Sequence, residues 1–245
     1  MSGPIGLLGG RVELDQTGAG LPATIDPVLL AAAVPARAGE SVLEAGTGIG
    51  TAALCLLARV EVARVVGLER DRDQAERAAA NAALNGWGER FAAIAADLAD
   101  PEAGRAVAAF GPFDHAMANP PWFEGGTTPL LAQRRSAKHG AGALSAWIDF
   151  LARPLARRGS LTLVLPPSLL PAALAGFAGA GIGAPVIFPL WPRAGAPARR
   201  LILAGRKGRS SPCRILAGLV LHEADGQFTA AAEAVLRQAE PLHLA

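Results

Sequence analysis

Tyrosine is absent from this chain of 245 residues, and cysteine and methionine occur twice each. Two cysteines, Cys55 and Cys213, cannot build a disulfide framework, which excludes a small stapled secreted scaffold. Each falls in an apolar segment and reads as a small buried hydrophobe. The four histidines and two cysteines form no cluster with metal-ligand spacing, so no metal is expected. No segment reads as a membrane span. The stretch from Met1 to Arg11 lacks a basic region before its apolar residues, so no signal peptide is expected and the expected location is the cytoplasm. What the chain has is apolar mass. Hydrophobic residues make up 51% and charged residues 18%, which is enough to bury a substantial core and excludes a disordered chain.

Lysine is also scarce: apart from Lys138 and Lys207, the 23 basic residues are arginines. The net charge of +2 conceals an asymmetry. Residues 1–125 hold 9 basic and 16 acidic side chains, and residues 126–245 hold 14 and 5. A basic half beside an acidic half points to a polyanionic partner for the basic half.

Strand and helix patterns alternate, which predicts an α/β fold with a mainly parallel sheet. Strands are expected at Ser41–Ala45, Val62–Leu68, Phe91–Ala96, Phe113–Ala118 and Ser160–Leu165. Helices are expected at Gly50–Arg59, Asp71–Leu84, Pro101–Ala109 and Leu144–Arg157. Asp71 is placed to cap the second of these, and Asn85-Gly86 to end it. Val186–Leu190 and Arg200–Ala204 read as a closing antiparallel pair, and Arg214–Leu221 as one more strand. With no internal repeat and no clear linker, a single domain over 1–245 is expected, with residues 1–35 as an N-terminal extension and 36–245 as the core.

The segment Glu44-Ala45-Gly46-Thr47-Gly48-Ile49-Gly50 follows a strand and opens a helix. A ligand approaching backbone at a strand's carboxyl end needs glycine, because a Cβ would block it. The spacing departs from the dinucleotide fingerprint: Gly46 and Gly48 match its first two glycines, and the third is not matched. Glu44, two residues before the first glycine, suits a ligand with a cationic amino-acid end and suits a pyrophosphate badly. The second strand ends in Glu69, the position that commonly holds a ribose diol. The third ends in Asp97-Leu98, where the carboxylate can accept from an adenine amine and the Leu98 amide can donate.

Strand four runs into Asn119-Pro120-Pro121-Trp122, then Phe123. An aromatic amine is a poor nucleophile because its lone pair is delocalised into the ring. Two acceptors aimed at its N–H hydrogens draw the nitrogen toward sp³ geometry. The Asn119 side-chain oxygen and the Pro120 carbonyl supply such acceptors, and proline stiffens the turn. Trp122 can stack on a planar target, with Phe123 beside it.

The glycine loop with this tetrapeptide resembles the Asn-Pro-Pro-aromatic amino-methyltransferases. The wider text resembles, within them, the bacterial tRNA(Val) adenine-N6 methyltransferase family. The matching stretches are Gln16 to Ala32, including Thr24-Ile25-Asp26-Pro27-Val28-Leu29-Leu30, then Arg134–His139, Trp147, Pro192-Arg193, Ala198-Arg199-Arg200 and Leu219-Val220-Leu221-His222-Glu223. The family favours tyrosine where this chain has Trp122. The resemblance implies a Rossmann-like class I methyltransferase, its sheet mainly parallel and doubly wound with an antiparallel edge. It implies S-adenosylmethionine as cofactor, held by Glu44, Gly46, Gly48, Gly50, Glu69, Asp97 and Leu98. Asn119, Pro120, Pro121 and Trp122 would carry catalysis. Phe123, Arg134, Lys138, His139, Arg199 and Arg200 would hold tRNA, the expected partner, and the product would be N6-methyladenine next to the anticodon of a valine tRNA. Two alternatives remain from the residues alone: a protein glutamine N5-methyltransferase, and a non-catalytic RNA-binding protein that kept the fold.

Overall fold

The computed structural model describes residues 4–17, 24–61, 63–121 and 141–244, with backbone alone at 141–143. A short antiparallel hairpin, β1 (Ile5–Leu7) and β2 (Val12–Leu14), precedes helix α1 (Ile25–Ala33). Then come β3 (Ser41–Ala45), α2 (Thr51–Arg59), β4 (Arg64–Glu69), α3 (Arg72–Leu84), β5 (Phe91–Ala95), α4 (Pro101–Ala108) and β6 (Phe113–Ala118). After the undescribed segment follow α5 (Ala141–Ala152), β7 (Leu155–Leu165), α6 (Leu170–Gly179), β8 (Ile182–Arg193), β9 (Arg200–Lys207), β10 (Arg214–Ile215), β11 (Leu219–His222) and α7 (Ala230–Arg237).

The large sheet has the order β10-β8-β9-β7-β6-β3-β4-β5, and β11 also pairs with β8. Every pairing is parallel except the two made by β9, which lies antiparallel between β7 and β8. Both faces are covered. Side chains of α1, α2, α3 and α7 pack with Val42, Met117 and Val164 on one face. Those of α4, α5 and α6 pack with Leu43, Leu161 and Leu163 on the other. Strands buried on both faces read as unbroken apolar runs, which is why β3 and β7 stand out in the sequence.

The chain winds from β3 out to β5, then returns to lay β6 on the opposite side of β3. In open α/β sheets such a reversal opens a crevice at the strands' carboxyl ends. Asp71 caps α3 as expected, accepting from the amides of Asp73 and Gln74, and Gly86 ends it with a positive φ of 73°.

Several local expectations are corrected. The helix expected over Leu144–Arg157 stops at Ala152, because Pro154 cannot continue it, and β7 begins at Leu155. The strand expected over Arg214–Leu221 is two pieces. Gly218 separates them with φ at 81°, and a Cβ there would sit 2.2 Å from the Pro189 carbonyl oxygen. Cys55 is buried as expected, but Cys213 is exposed, in the non-regular stretch between β9 and β10. Helices α1, α6 and α7 had no counterpart in the expected elements. α1 packs on α2 and α7, and its Leu29 and Leu30 are wholly buried.

Candidate active site

Register brings the sequence motifs together. Ala45 of β3 pairs with Leu68 on one side and with Ala118 on the other, and Glu69 pairs with Ala95. Gly46 and Asn119 are therefore each one residue past the paired Ala45 and Ala118, on neighbouring strands about 4.8 Å apart. Glu69 and the Ala96-Asp97 turn continue the same edge over β4 and β5. Four strand ends span about 14 Å, a length suited to an amino acid joined to a nucleoside.

Gly46, Gly48 and Gly50 all have positive φ, at 69°, 56° and 91°. This left-handed conformation is cheap only for glycine. Their surroundings differ. A Cβ on Gly46 would lie 2.6 Å from Cη2 of Trp147, so the α5 indole packs against the loop. A Cβ on Gly50 would make ordinary contacts with Ala78 and Leu54, sealing the loop to α3 and α2. At Gly48 the nearest atom among the described residues would be Gln74 Oε1 at 3.5 Å, so among them that side of the loop is open and forms a cradle.

Glu44 lies underneath. It is 3% exposed and accepts a hydrogen bond from the Thr47 hydroxyl at 2.7 Å. Burial is the main reason its carboxyl is pushed up to about 8. The Thr47 hydroxyl and the Ala53 amide oppose that rise, and the Glu69 carboxylate adds to it. Thr47 in turn needs Gly67, since a Cβ there would fall within 2.7 Å of the threonine side chain. A glycine inside a strand signals such close approach, and Gly67 is a supporting residue that the motif reading passed over.

Glu69 accepts from the Gly48 amide at 2.9 Å and from the Asp71 amide at 3.0 Å. A carboxylate has about four lone-pair sites, which leaves capacity for a diol. Asp97 is exposed and accepts from the Ala99 amide at 2.9 Å, while Leu98 packs partly into the core. The cradle is thus lined by carboxylates and open backbone. That set of acceptors fits a cationic amino-acid nucleoside such as S-adenosylmethionine and suits a pyrophosphate badly.

Asn119 is half-buried, Pro120 buried and Pro121 exposed. No hydrogen bond ties the Asn119 side chain to another described residue, so its amide is available. Trp122, Phe123, Arg134, Lys138 and His139 lie outside the described residues. Arg199 is exposed. Arg200 donates from Nε to Asp26 of α1 at 3.2 Å, which ties it to the fold. Among the described residues no group of three or more His, Cys, Asp or Glu is placed to hold a metal ion.

No family model matches the chain. Curated relatives do. It is 30% identical over 226 residues to the tRNA1(Val) (adenine(37)-N6)-methyltransferase of Shewanella amazonensis, covering 92% of this chain and 94% of that protein. The chain belongs to the tRNA1(Val) (adenine(37)-N6)-methyltransferase family. The same-named protein of Aeromonas hydrophila is 30% identical over 223 residues, 89% of this chain and 90% of its own. Among solved structures, a predicted O-methyltransferase of Agrobacterium tumefaciens superposes with a TM-score of 0.72 at 25% identity, over 89% of this chain and 98% of that one. A SAM-dependent O-methyltransferase of Thermotoga maritima, 15% identical with a TM-score of 0.54 over 78% and 68%, shares the fold. This member of the family is accordingly a methyltransferase with a Rossmann-like fold. Among its described residues no helix is long and apolar enough to cross a membrane.

Proposed function

We propose that this chain transfers the methyl group of S-adenosylmethionine to the exocyclic N6 of an adenine in tRNA, beside the anticodon of a valine tRNA. One observation carries the reading: the glycine cradle and Asn119 lie side by side on β3 and β6, at the point where the sheet reverses. The names of the relatives from Shewanella amazonensis and Aeromonas hydrophila support the choice of tRNA and of N6. The cofactor supplies an activated methyl, so the protein's task is orientation. Gly46, Gly48 and Gly50 take its amino-acid end, with Glu44 beneath them. Glu69 takes the ribose, and Asp97 and Leu98 take the adenine ring.

Across the strand boundary, the Asn119 side-chain oxygen and the Pro120 carbonyl accept the two amine hydrogens and present the nitrogen lone pair. Pro121 stiffens the turn, and Trp122 and Phe123 stack on the splayed base. Arg134, Lys138, His139, Arg199 and Arg200 hold the phosphates. The same residues around the amine distinguish nitrogen from oxygen as acceptor: two hydrogens need two acceptors, and a hydroxyl would use one. The test is methyl transfer from labelled cofactor to unmodified tRNA and, separately, to total protein. Mass spectrometry of the nucleosides should show N6-methyladenosine. Label in protein glutamine alone would replace this reading with the glutamine one, and label in neither would leave a non-catalytic binder.

A further inference from the structure

β9 runs against its neighbours, so the basic stretch from Arg193 to Arg209 is split between the two ends of the sheet. Arg206 and Lys207 lie at the amino ends of β7 and β8, where Lys207 Nζ caps α5 by donating to the carbonyls of Ala152, Arg153 and Leu155. Arg193 and Arg199 stay at the carboxyl end, on the same edge as Gly46 and Asn119. Both are exposed and neither has a carboxylate partner among the described residues.

The β11 end adds an aromatic surface. His222 pairs directly with Arg193 in the parallel β8–β11 ladder, so the two side chains stand beside each other. The His222 ring is stacked on Phe228, with centroids 4.7 Å apart and planes inclined by 22°. Its Nδ1 lies 3.2 Å from the Gly226 carbonyl, so Nδ1 carries the proton and donates. The turn is braced by Glu223 donating to Gln227 and Thr229 to Leu221, at 2.8 and 2.9 Å. Phe228 faces the core, while His222 lines a pocket of about 290 Å³ with Pro192, Arg193, Ala196 and Arg199. A ring backed by Phe228 that also lines a pocket offers a surface on which a base can stack. The volume lies just below the roughly 300–1,000 Å³ range of ligand pockets, which suits one base.

We infer that this pocket is a second nucleotide subsite, in which a base of the same RNA stacks on His222 while Arg193 and Arg199 neutralise the adjoining phosphates. The inference rests on the tRNA reading above. From β6 to β11 the edge is four strand spacings, about 19 Å, so the subsite holds a nucleotide some distance from the methylated one. It contributes to register and affinity and takes no part in the chemistry.

The test uses the whole protein and an unmodified valine tRNA transcript, with binding measured across a salt series and methylation measured beside it. His222→Ala should weaken tRNA binding by about fivefold or more, the lower end of what a stacked base contributes. His222→Phe should restore it, because stacking and not the ring nitrogens is at work. Arg193→Ala and Arg199→Ala should each flatten the log–log salt dependence by about 0.7, the value for one phosphate on a single strand. Affinity for S-adenosylmethionine alone should not change in any of them. Wild-type tRNA affinity in His222→Ala, with the wild type methylating tRNA, would overturn the subsite and leave the function standing. If the wild type neither binds nor methylates tRNA, both fall.

Discussion

Among the described residues a side chain at Gly48 would meet only Gln74, so the case against one there is conformational and functional. Alanine in the left-handed region costs about 1–2 kcal/mol. Gly48→Ala should therefore fold with a modestly lowered Tm yet lose cofactor affinity tenfold or more in calorimetry. Unchanged affinity would remove the loop from the cofactor site. Glu44 makes a second residue-scale prediction. With its carboxyl raised to about 8, it holds a proton at neutral pH in the cofactor-free protein. A cationic ligand above the loop favours the charged form, so binding expels that proton and affinity rises with pH up to about 8. Glu44→Gln should bind with no such slope, and calorimetry in buffers of different ionisation enthalpy should detect the released proton only in the wild type. Asn119→Ala should lower kcat by at least tenfold with little change in cofactor affinity, since its amide acts on the amine chiefly in the transition state.

At the scale of elements, α1 is held to the sheet by its buried leucines and by Asp26, which pairs with Arg200 of β9. Both partners are partly shielded, so the pair contributes about 1 kcal/mol. Reversing the charge at Arg200 should lower the Tm as well as tRNA affinity, whereas reversal at Arg199 should touch affinity alone. A double-mutant cycle on Asp26 and Arg200, read by chemical denaturation, checks this. The elements missed from the sequence have physical reasons. α6 is rich in alanine and glycine, so no apolar stripe stands out. Its Gly176 admits Ile148 of α5, and a Cβ there would lie 2.7 Å from the isoleucine. That glycine weakens the helix in isolation and is required by the packing. α7 opens with a Thr229 cap, which accepts from the Ala232 amide at 3.1 Å, before a short alanine-rich run.

For the whole molecule, the sheet separates a working edge from a structural one. At the amino end His115 is 4% exposed, between Ser160 at 2.7 Å and Glu40 at 2.9 Å. Burial pulls its pKa below the ordinary value, and the Glu40 carboxylate only partly offsets this. In the interval below 6.5 the unfolded chain binds a proton that the folded one refuses, so stability from this group climbs as pH rises through it. His115→Gln should flatten the acid side of a Tm–pH profile. Glu44 acts oppositely, since its raised pKa makes cofactor-free stability fall between 4.5 and about 8.

The strands of the parallel core were legible because burial on both faces leaves apolar runs, and the glycine loop and Asn119-Pro120-Pro121 because their chemistry needs those residue types in that order. The charge asymmetry was also visible in the chain alone. Which residues meet was not. That Trp147 covers Gly46, that Gly67 makes room for Thr47, that Arg200 belongs to Asp26, and that Lys207 serves a helix end instead of the working edge all follow from strand order and direction. Those are set by non-local packing, which composition and periodicity do not encode.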